Sequence, residues 1–201
     1  MYNPYDFYFK KAKQEGYKAR SAFKLEEIQE KFHLIDPTTK TVLDIGCSPG
    51  SWMQYTVAQL QKMNVKGYQV IGFDLKAVEV NLPGMYTYVQ DVTDQEKVHE
   101  ILVSHQLSPA CVDFIQSDMA PNTIGHKESD AIRSIALLEE TLRMYETYLK
   151  PAGKFCTKIF MGPGFDAYVA QMKKLYGGKN IKVFKPKSCR RESKETYVIK
   201  V

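Results

Sequence analysis

Hydrophobic residues along this chain recur with two different periods, and the two kinds of segment alternate from one end to the other. Short apolar runs predict strands, whereas longer segments with an apolar residue every three or four positions predict amphipathic helices. We predict strands near residues 41–46, 69–74, 85–91, 112–118, 153–160, 181–186 and 195–201. We predict helices near residues 19–33, 51–63, 94–105, 129–149 and 165–176. This alternation indicates an α/β fold, in which helices cover both faces of a mostly parallel sheet.

The breaks between these segments are consistent with one domain over residues 1–201. Pro151 and Gly153 are predicted to end the long helix and open the fifth strand, and Gly177 is predicted to end the last helix. Only the loop at residues 187–194 separates the last two strands, which favours an antiparallel hairpin at the end of the seven-stranded sheet. A chain of 201 residues with 44% hydrophobic residues is long enough to bury one sizeable core.

The most informative segment is the strand-to-helix connection at residues 41–52, Thr-Val-Leu-Asp-Ile-Gly-Cys-Ser-Pro-Gly-Ser-Trp. Gly46 and Gly50 allow positive φ and a close approach of the backbone to a ligand, beside the unpaired N–H groups of the helix N-terminus. Asp74 ends the next strand roughly 24 residues after Gly50, close to the spacing at which a strand-end acid binds a ribose diol. These features predict a nucleoside-binding site, and the alternative is a tight connection without a ligand.

The spacing within this turn argues against several common cofactors. A dinucleotide-binding turn has the pattern G-x-G-x-x-G, whereas here the glycines are four residues apart with Pro49 between them. A P-loop needs Gly-Lys-Ser or Gly-Lys-Thr, but Ser51 follows Gly50 directly and no lysine lies between them. Nicotinamide, flavin and ATP are therefore disfavoured.

Cysteine and histidine positions give no indication of a metal site. The four cysteines and four histidines form no C-x-x-C or H-x-x-x-H spacing, and the cysteines fall in separate segments of the pattern. We therefore expect reduced cysteines and no bound metal. The apolar stretches are shorter than the about 18 residues of a membrane span. The N-terminus lacks the pattern of a secretion signal, so we expect an intracellular, cytoplasmic protein with no membrane partner.

Positive charge is concentrated at the two ends of the chain. The formal net charge is +5, yet residues 179–201 alone hold eight Lys or Arg and two Glu. Residues 8–24 hold six Lys or Arg and one Glu, interleaved with four aromatic residues. Cations neutralise phosphates and aromatic rings stack on unpaired bases, which favours RNA as the partner over a solvated face that only aids solubility. The candidate RNA contacts are Lys18, Arg20, Lys187, Arg190 and Arg191.

Four further charged residues lie where the pattern brings them toward one edge of the sheet. Asp118 ends a buried strand, and Lys158 lies among apolar neighbours in the next one. Lys24 lies beside the apolar stripe of the first predicted helix, and Glu195 begins the final strand. Each alone is compatible with an ordinary surface ion pair. Ligands bind at the carboxyl ends of strands in such sheets, so together these residues are candidates for a reaction centre.

Five ordered segments of the chain match one known family. They are Glu15-Gly-Tyr-Lys-Ala-Arg-Ser-Ala-Phe-Lys-Leu-Glu-Glu-Ile28, Leu43-Asp-Ile-Gly-Cys-Ser-Pro-Gly-Ser-Trp52, Gln116-Ser-Asp-Met-Ala-Pro-Asn122, Lys154-Phe-Cys-Thr-Lys-Ile-Phe160 and Lys187-Ser-Cys-Arg-Arg-Glu-Ser-Lys-Glu-Thr-Tyr197. In these segments the chain resembles the FtsJ (RlmE) family of S-adenosylmethionine-dependent RNA 2′-O-methyltransferases. The resemblance implies a single Rossmann-like methyltransferase domain with S-adenosylmethionine as cofactor.

The resemblance also assigns a catalytic tetrad, Lys-Asp-Lys-Glu. By the matching motifs the tetrad falls on Lys24, in the basic helical segment 1–33, and on Asp118, Lys158 and Glu195. Methyl transfer from a sulfonium to a ribose hydroxyl needs alignment of the oxygen and removal of its proton. Our hypothesis is that Lys158 is the base, which requires it to be neutral when it acts, although Asp118 favours its charged form. The alternative is a charged Lys158 that, with Lys24, steers the hydroxyl and stabilises negative charge on oxygen while Glu195 orients a lysine.

The cofactor residues are likewise implied by the resemblance. Those expected to shape the methionine end of the pocket are Gly46, Pro49, Gly50 and Trp52. Asp74 is expected to hold the ribose hydroxyls, Asp91 to reach the adenine amine, and Asp118 to face the cofactor. Where the family usually has other small residues, this chain has Cys47, Ser48 and Ser51, which are small-for-small changes.

The substrate expected from the resemblance is a uridine of large-subunit ribosomal RNA, since the short chain looks most like the ribosomal group of the family. Transfer RNA is an alternative substrate. A non-catalytic RNA-binding or ribosome-assembly factor is an alternative of another class, which the presence of all four tetrad residues disfavours. A nicotinamide oxidoreductase is disfavoured by the missing third glycine.

Overall fold

A computed structural model describes residues 7–190 and 192–201 of the protein. Arg191, one of the candidate RNA contacts, lies outside the described residues. The helices are α1 (Phe7–Gln14), α2 (Ala22–Phe32), α3 (Ser51–Lys62), α4 (Gln95–Ser104), α5 (Lys127–Tyr148) and α6 (Phe165–Tyr176). The strands are β1 (Thr41–Ile45), β2 (Gln69–Asp74), β3 (Met85–Val89), β4 (Val112–Ser117), β5 (Leu149–Phe160), β6 (Ile181–Phe184) and β7 (Glu195–Lys200).

The seven strands form one sheet in the order β3-β2-β1-β4-β5-β7-β6. Strands β1 to β5 pair in parallel, whereas β7 runs antiparallel to both β5 and β6. The predicted α/β architecture with an antiparallel C-terminal hairpin is therefore confirmed. Because β7 runs antiparallel to β5, its first residue, Glu195, pairs with Phe160 at the carboxyl end of β5.

Hydrophobic residues bury both faces of the sheet, as alternation along each strand requires. Leu43 and Ile45 of β1 belong to the core beneath α4, α5 and α6, and Val42 belongs to the core beneath α2 and α3. Asp44 points to the second face, and it is fully buried. The carboxyl ends of β1, β2, β4 and β5 meet along one edge. Arg20 and Arg190, from the two basic ends of the chain, lie beside Lys24 and Glu195 at this edge.

Two local expectations were wrong. Helix α1 was not predicted as a separate helix. It is eight residues long and Ala12 is its only buried residue, so it lacks the long apolar face on which the other helices were predicted. The long helix ends at Tyr148 rather than at Pro151, and β5 begins directly at Leu149. The pairing of β5 with β4 is irregular between Leu149 and Lys154. In this interval the Lys200 ammonium group donates to the carbonyl oxygens of Pro151 and Gly153. A proline is tolerated within the strand where the ladder is interrupted.

Candidate active site

The turn after β1 brings the backbone close to neighbouring elements. Gly46 has φ 77°, and a Cβ atom at this position would lie 2.5 Å from the Cβ of Met119. Further along the turn, Ser48 donates its backbone N–H to Asp74 Oδ2 at 2.9 Å. The turn is therefore fixed against both the loop after β4 and the end of β2, which leaves an open cleft above it.

This cofactor cleft, as we call it, has a volume of about 470 Å³. The lining residues include Gly46, Ser48, Pro49, Asp74, Leu75, Lys76, Asp91, Met119, Asn122, Asp118 and Lys158. Asp74 accepts a second backbone N–H, from Lys76 at 2.9 Å, so its carboxylate is rigidly oriented and retains lone pairs for further donors. Asp91 Oδ1 accepts the N–H and the hydroxyl of Thr93, and its Oδ2 is the oxygen left for a ligand.

Gly50 and Trp52 do not line this cleft, contrary to expectation. Trp52 is buried, and its indole N–H donates to the carbonyl oxygen of Ser21 at 2.8 Å. Its ring centroid lies 5.7 Å from that of Tyr197. Gly50 instead allows Val78 to pack against the turn, since a Cβ at Gly50 would lie 2.8 Å from that side chain. Gly50 therefore contributes to packing of the turn against Val78. Trp52 binds the residue that precedes α2, the helix that carries Lys24.

The structure brings the four tetrad residues together from four separate elements. The Lys24 ammonium group, on α2, lies 2.5 Å from Glu195 Oε1 at the start of β7 and 3.9 Å from Asp118 Oδ1. The Lys158 ammonium group, on β5, lies 3.1 Å from Asp118 Oδ1 and also donates to the carbonyl oxygen of Asp118. The four charges thus form one chain, Glu195–Lys24–Asp118–Lys158, at the carboxyl edge of the sheet.

The electrostatics of this chain favour charged forms of Asp118 and Lys24. Burial raises the pKa of Asp118, but Lys158, Lys24 and a hydrogen bond outweigh it and hold that pKa below its usual value. Burial lowers the pKa of Lys24, but the carboxylates of Asp118 and Glu195 outweigh it and raise that pKa. A carboxylate between two lysines is therefore the resting state of the site.

Sequence reasoning missed Tyr197, which joins the two carboxylates of the tetrad. Its hydroxyl lies 2.7 Å from Asp118 Oδ1 and 2.7 Å from Glu195 Oε1. Burial and the two carboxylates raise the pKa of Tyr197, so the phenol keeps its proton. The spacing gave only part of the signal: Tyr197 follows Glu195 by two residues on a strand and must share its face, but the contact with Asp118 depends on the tertiary structure.

A second cavity, of about 450 Å³, lies on the other side of the tetrad. Its lining residues are Arg20, Lys24, Ser188, Arg190, Glu192, Ser193 and Glu195. The Arg20 guanidinium donates to the carbonyl oxygen of Ser188 at 2.5 Å, which orients it beside the cavity. We call this the basic cavity. Lys24 and Glu195 line the basic cavity, whereas Asp118 and Lys158 line the cofactor cleft, so the tetrad separates the two spaces.

Two other candidate RNA contacts lie outside the basic cavity. Lys18 forms an exposed ion pair with Glu79, at 3.5 Å. Lys187 lines a groove beside α1 and α2, and its backbone N–H donates to Glu27.

Among the described residues no cluster of His, Cys, Asp and Glu is arranged to hold a metal ion. In the same part of the chain, no helix combines the length and apolarity needed to cross a membrane.

Comparison with known proteins identifies the family. The family model described as FtsJ-like methyltransferase matches residues 17–201. The chain belongs to the FtsJ-like methyltransferase family. It is accordingly an S-adenosylmethionine-dependent methyltransferase, and the cofactor cleft has the position expected for that cofactor, at the carboxyl ends of β1 and β2.

Individual relatives match nearly the whole chain. The ribosomal RNA large subunit methyltransferase E of Desulfosudis oleivorans is 41% identical over 194 residues, covering 96% of this chain and 88% of the relative. The protein of the same name from Desulfatibacillum aliphaticivorans is 42% identical over 198 residues, with the same coverage. A crystal structure of a Plasmodium falciparum protein described as a ribosomal RNA methyltransferase matches with a TM-score of 0.76 and 27% identity. That match covers 92% of this chain and 97% of the other.

Proposed function

We propose that residues 1–201 form a single methyltransferase domain that methylates a ribose 2′-hydroxyl of large-subunit ribosomal RNA. The observation that carries this proposal is the position of the tetrad, which separates the cofactor cleft from the basic cavity. An acceptor in the basic cavity would meet the methyl donor only at these four side chains. The names of the relatives support ribosomal RNA as the acceptor and hence a cytoplasmic site of action.

The residues of the cleft fit S-adenosylmethionine. The oriented carboxylate of Asp74 suits a ribose diol, and the open Oδ2 of Asp91 suits the adenine amine. A side chain at Gly46 would clash with Met119, so glycine lets the turn pack against the loop after β4, and residues of both line the cleft. When bound, this cofactor supplies an electrophilic methyl group on a positively charged sulfur.

The protein's part in the reaction is to place the acceptor hydroxyl and manage its proton. In the step, the C–S bond breaks as the ribose O–C bond forms, and the hydroxyl proton leaves the oxygen. Lys158 is the tetrad cation that lines the cofactor cleft, so its nitrogen is the group placed to contact the attacking oxygen. Asp118 fixes that nitrogen from two directions, through its carboxylate and its carbonyl oxygen.

The second cation acts from the acceptor side. Lys24 is held by Glu195 and Asp118 in its ammonium form, so it can donate to the acceptor oxygen but cannot take its proton. In this proposal Lys24 stabilises negative charge that develops on the oxygen. Lys158 first gives one ammonium proton to solvent; the neutral amine then accepts the hydroxyl proton and becomes an ammonium group again.

RNA enters through the basic cavity in this proposal. Arg20 and Arg190 face this space beside the tetrad, and guanidinium groups match the geometry of phosphate oxygens. Arg191, adjacent in sequence, and the more distant Lys18 and Lys187 would extend the interface along the RNA backbone. Half or more of the hydrogen bonds in such interfaces go to phosphate and sugar, so these residues set position rather than sequence.

Transfer of labelled methyl from S-adenosylmethionine to a panel of acceptors tests the substrate. The panel contains large ribosomal subunits, protein-free large-subunit RNA, small subunits and bulk tRNA. We expect incorporation into the large-subunit acceptors alone. Incorporation into tRNA alone would contradict the ribosomal assignment while keeping the chemistry. Cofactor binding with no incorporation into any acceptor would favour a binding or assembly factor.

A further inference from the structure

Three polar side chains, joined in a row by hydrogen bonds, lie under the turn at the floor of the cofactor cleft. The Thr56 hydroxyl, on α3, lies 2.8 Å from Gln116 Oε1, on β4. Gln116 Nε2 lies 2.8 Å from Asp44 Oδ2, on β1. All three side chains are fully buried. Within the described residues, the other carboxyl oxygen, Asp44 Oδ1, is buried without a hydrogen-bond partner.

An orphaned, buried carboxylate oxygen is costly to keep charged. The titratable side chains around it, from every neighbouring element, are Asp74 at the end of β2, Asp118 after β4, Cys47 of the turn, Cys156 of β5 and Tyr145 of α5. None of these is a cation, and α3 contributes only the hydroxyl of Thr56. Burial raises the pKa of Asp44 to about 8, and the charges of Asp118 and Asp74 act in the same direction.

The three-residue chain accommodates Asp44 in either protonation state. With Asp44 ionised, the Gln116 amide donates to the carboxylate and accepts from the Thr56 hydroxyl. With Asp44 protonated, reversal of the amide lets the carboxylic acid donate to Gln116 Oε1 while Nε2 donates to Thr56 Oγ1. Each arrangement has two hydrogen bonds among the three side chains, and the Gln116 amide rotates between them. In the protonated arrangement the Thr56 hydroxyl accepts from Gln116 instead of donating to it.

Asp44 lies beneath the residues that line the cofactor cleft. It precedes Gly46 by two residues, and β1 lies between β2 and β4, whose ends supply Asp74 and Asp118 to the cleft. Transfer requires the sulfonium to lie beside Asp118 and Lys158. A positive charge there favours an ionised Asp44, whereas the product, a neutral thioether, does not.

We propose that Asp44 is a specificity-determining residue that distinguishes S-adenosylmethionine from S-adenosylhomocysteine, because it releases its proton when the sulfonium binds and regains it in the product complex. The proposal rests on the cofactor placement given above. It makes the preference for substrate over product depend on pH. Below the range in which Asp44 titrates, the carboxyl is neutral with either ligand and contributes no preference. Above that range it is ionised with either ligand, and the preference for the sulfonium is at its maximum.

Calorimetric titration of the 201-residue protein with each ligand, without RNA, measures this coupling. Titrations in two buffers of different ionisation enthalpy give the number of protons released on binding. If the sulfonium lowers the pKa of Asp44 by one unit, S-adenosylmethionine releases about 0.4 proton more than S-adenosylhomocysteine at pH 7. The dissociation constant of S-adenosylhomocysteine divided by that of S-adenosylmethionine then rises roughly eightfold from pH 6 to pH 9. Equal proton release by the two ligands, corrected for titration of the free ligands, overturns the proposal.

The variant Asp44→Asn keeps the hydrogen-bonded chain and removes the titration. Its expected result is a ratio of dissociation constants independent of pH, once the ligands' own titration is taken into account. Asp113→Asn, at the opposite end of β4, is the matched control and should retain the pH dependence of the native protein. If the ratio of dissociation constants in Asp44→Asn depends on pH as strongly as in the native protein, Asp44 is not the titrating group and the proposal is refuted. If Asp44→Asn does not fold, the proton count on the native protein decides alone. Failure to bind S-adenosylmethionine at any pH would instead contradict the cofactor site.

Discussion

Replacement of Lys158 by methionine removes the tetrad charge that lines the cofactor cleft and keeps a side chain of similar length. Lys158 is 8% exposed, and its ammonium group lies 3.1 Å from Asp118 Oδ1. Asp118 would retain Lys24 at 3.9 Å and the Tyr197 hydroxyl at 2.7 Å. Two hydrogen bonds from a charged donor are lost, to the carboxylate and to the carbonyl oxygen of Asp118, which at about 2 kcal/mol each lowers the unfolding free energy by about 4 kcal/mol. Native domains typically have about 5–15 kcal/mol of unfolding free energy. The variant should therefore fold.

Lys158→Met should slow catalysis as well as lower stability. A positioned group that transfers a proton contributes roughly 10²–10⁴ to the rate. We expect the single-turnover rate to fall at least about 100-fold, equivalent to about 3 kcal/mol of activation free energy. The dissociation constant of the cationic cofactor should stay the same or decrease, because a positive charge has left its cleft.

Single-turnover methyl transfer with saturating large-subunit acceptor measures the rate. Calorimetry measures the dissociation constant of the cofactor, and urea unfolding measures the unfolding free energy. Lys154→Met is the matched control, since Lys154 lies on the same strand and pairs with Asp36 at 2.9 Å, far from the cleft. That control should lose some stability and keep its rate. A rate for Lys158→Met within tenfold of the native protein would refute its catalytic assignment.

Three further predictions concern the cleft, the RNA interface and the support of the tetrad. Asp74→Ala should raise the dissociation constant of S-adenosylmethionine by roughly 10–100-fold because charged hydrogen bonds are removed, and an unchanged constant by calorimetry would contradict its role. Replacement of Arg190 and Arg191 by alanine should flatten the log–log salt dependence of RNA binding by about one unit for each phosphate that is no longer neutralised, whereas an unchanged slope would leave them as surface residues. Trp52→Phe should cost about 1 kcal/mol in urea unfolding because its indole N–H no longer donates to Ser21, and unaltered stability would argue against that hydrogen bond.

The sequence was most informative where local pattern and tertiary structure depend on the same residues. The alternation of apolar runs predicted the order of strands and helices, because each strand must bury alternate residues against a helix layer. Gly46, Asp74 and Asp118 could be assigned to one edge because parallel strands place their carboxyl ends together. Helix α1 was missed because its eight residues are mostly polar and only Ala12 is buried, so little of it belongs to the core pattern.

The candidate site was harder to predict where a residue's role depends on packing. Trp52 lies in a cofactor motif, but burial and its bond to Ser21 turn its ring away from the cleft and toward Tyr197. Tyr197 reads in sequence as an ordinary aromatic residue of a strand. Its hydroxyl bridge becomes visible only when β7 is placed beside β5, where Asp118 and Glu195 converge on it. In the sequence Asp44 is one more residue of a buried strand, and only the structure shows that its Oδ1 is buried without a hydrogen-bond partner among the described residues.

Methyl transfer to a ribose oxygen, rather than to a base, leaves a chemical mark in the product. Large-subunit RNA that the purified protein has labelled with methyl from S-adenosylmethionine is hydrolysed in alkali, and the products are separated by mass. A 2′-O-methyl group prevents attack of that oxygen on the adjacent phosphorus, so we expect the label in one alkali-resistant dinucleotide. Recovery of the label in a methylated base of a mononucleotide, with no resistant dinucleotide, would refute ribose methylation.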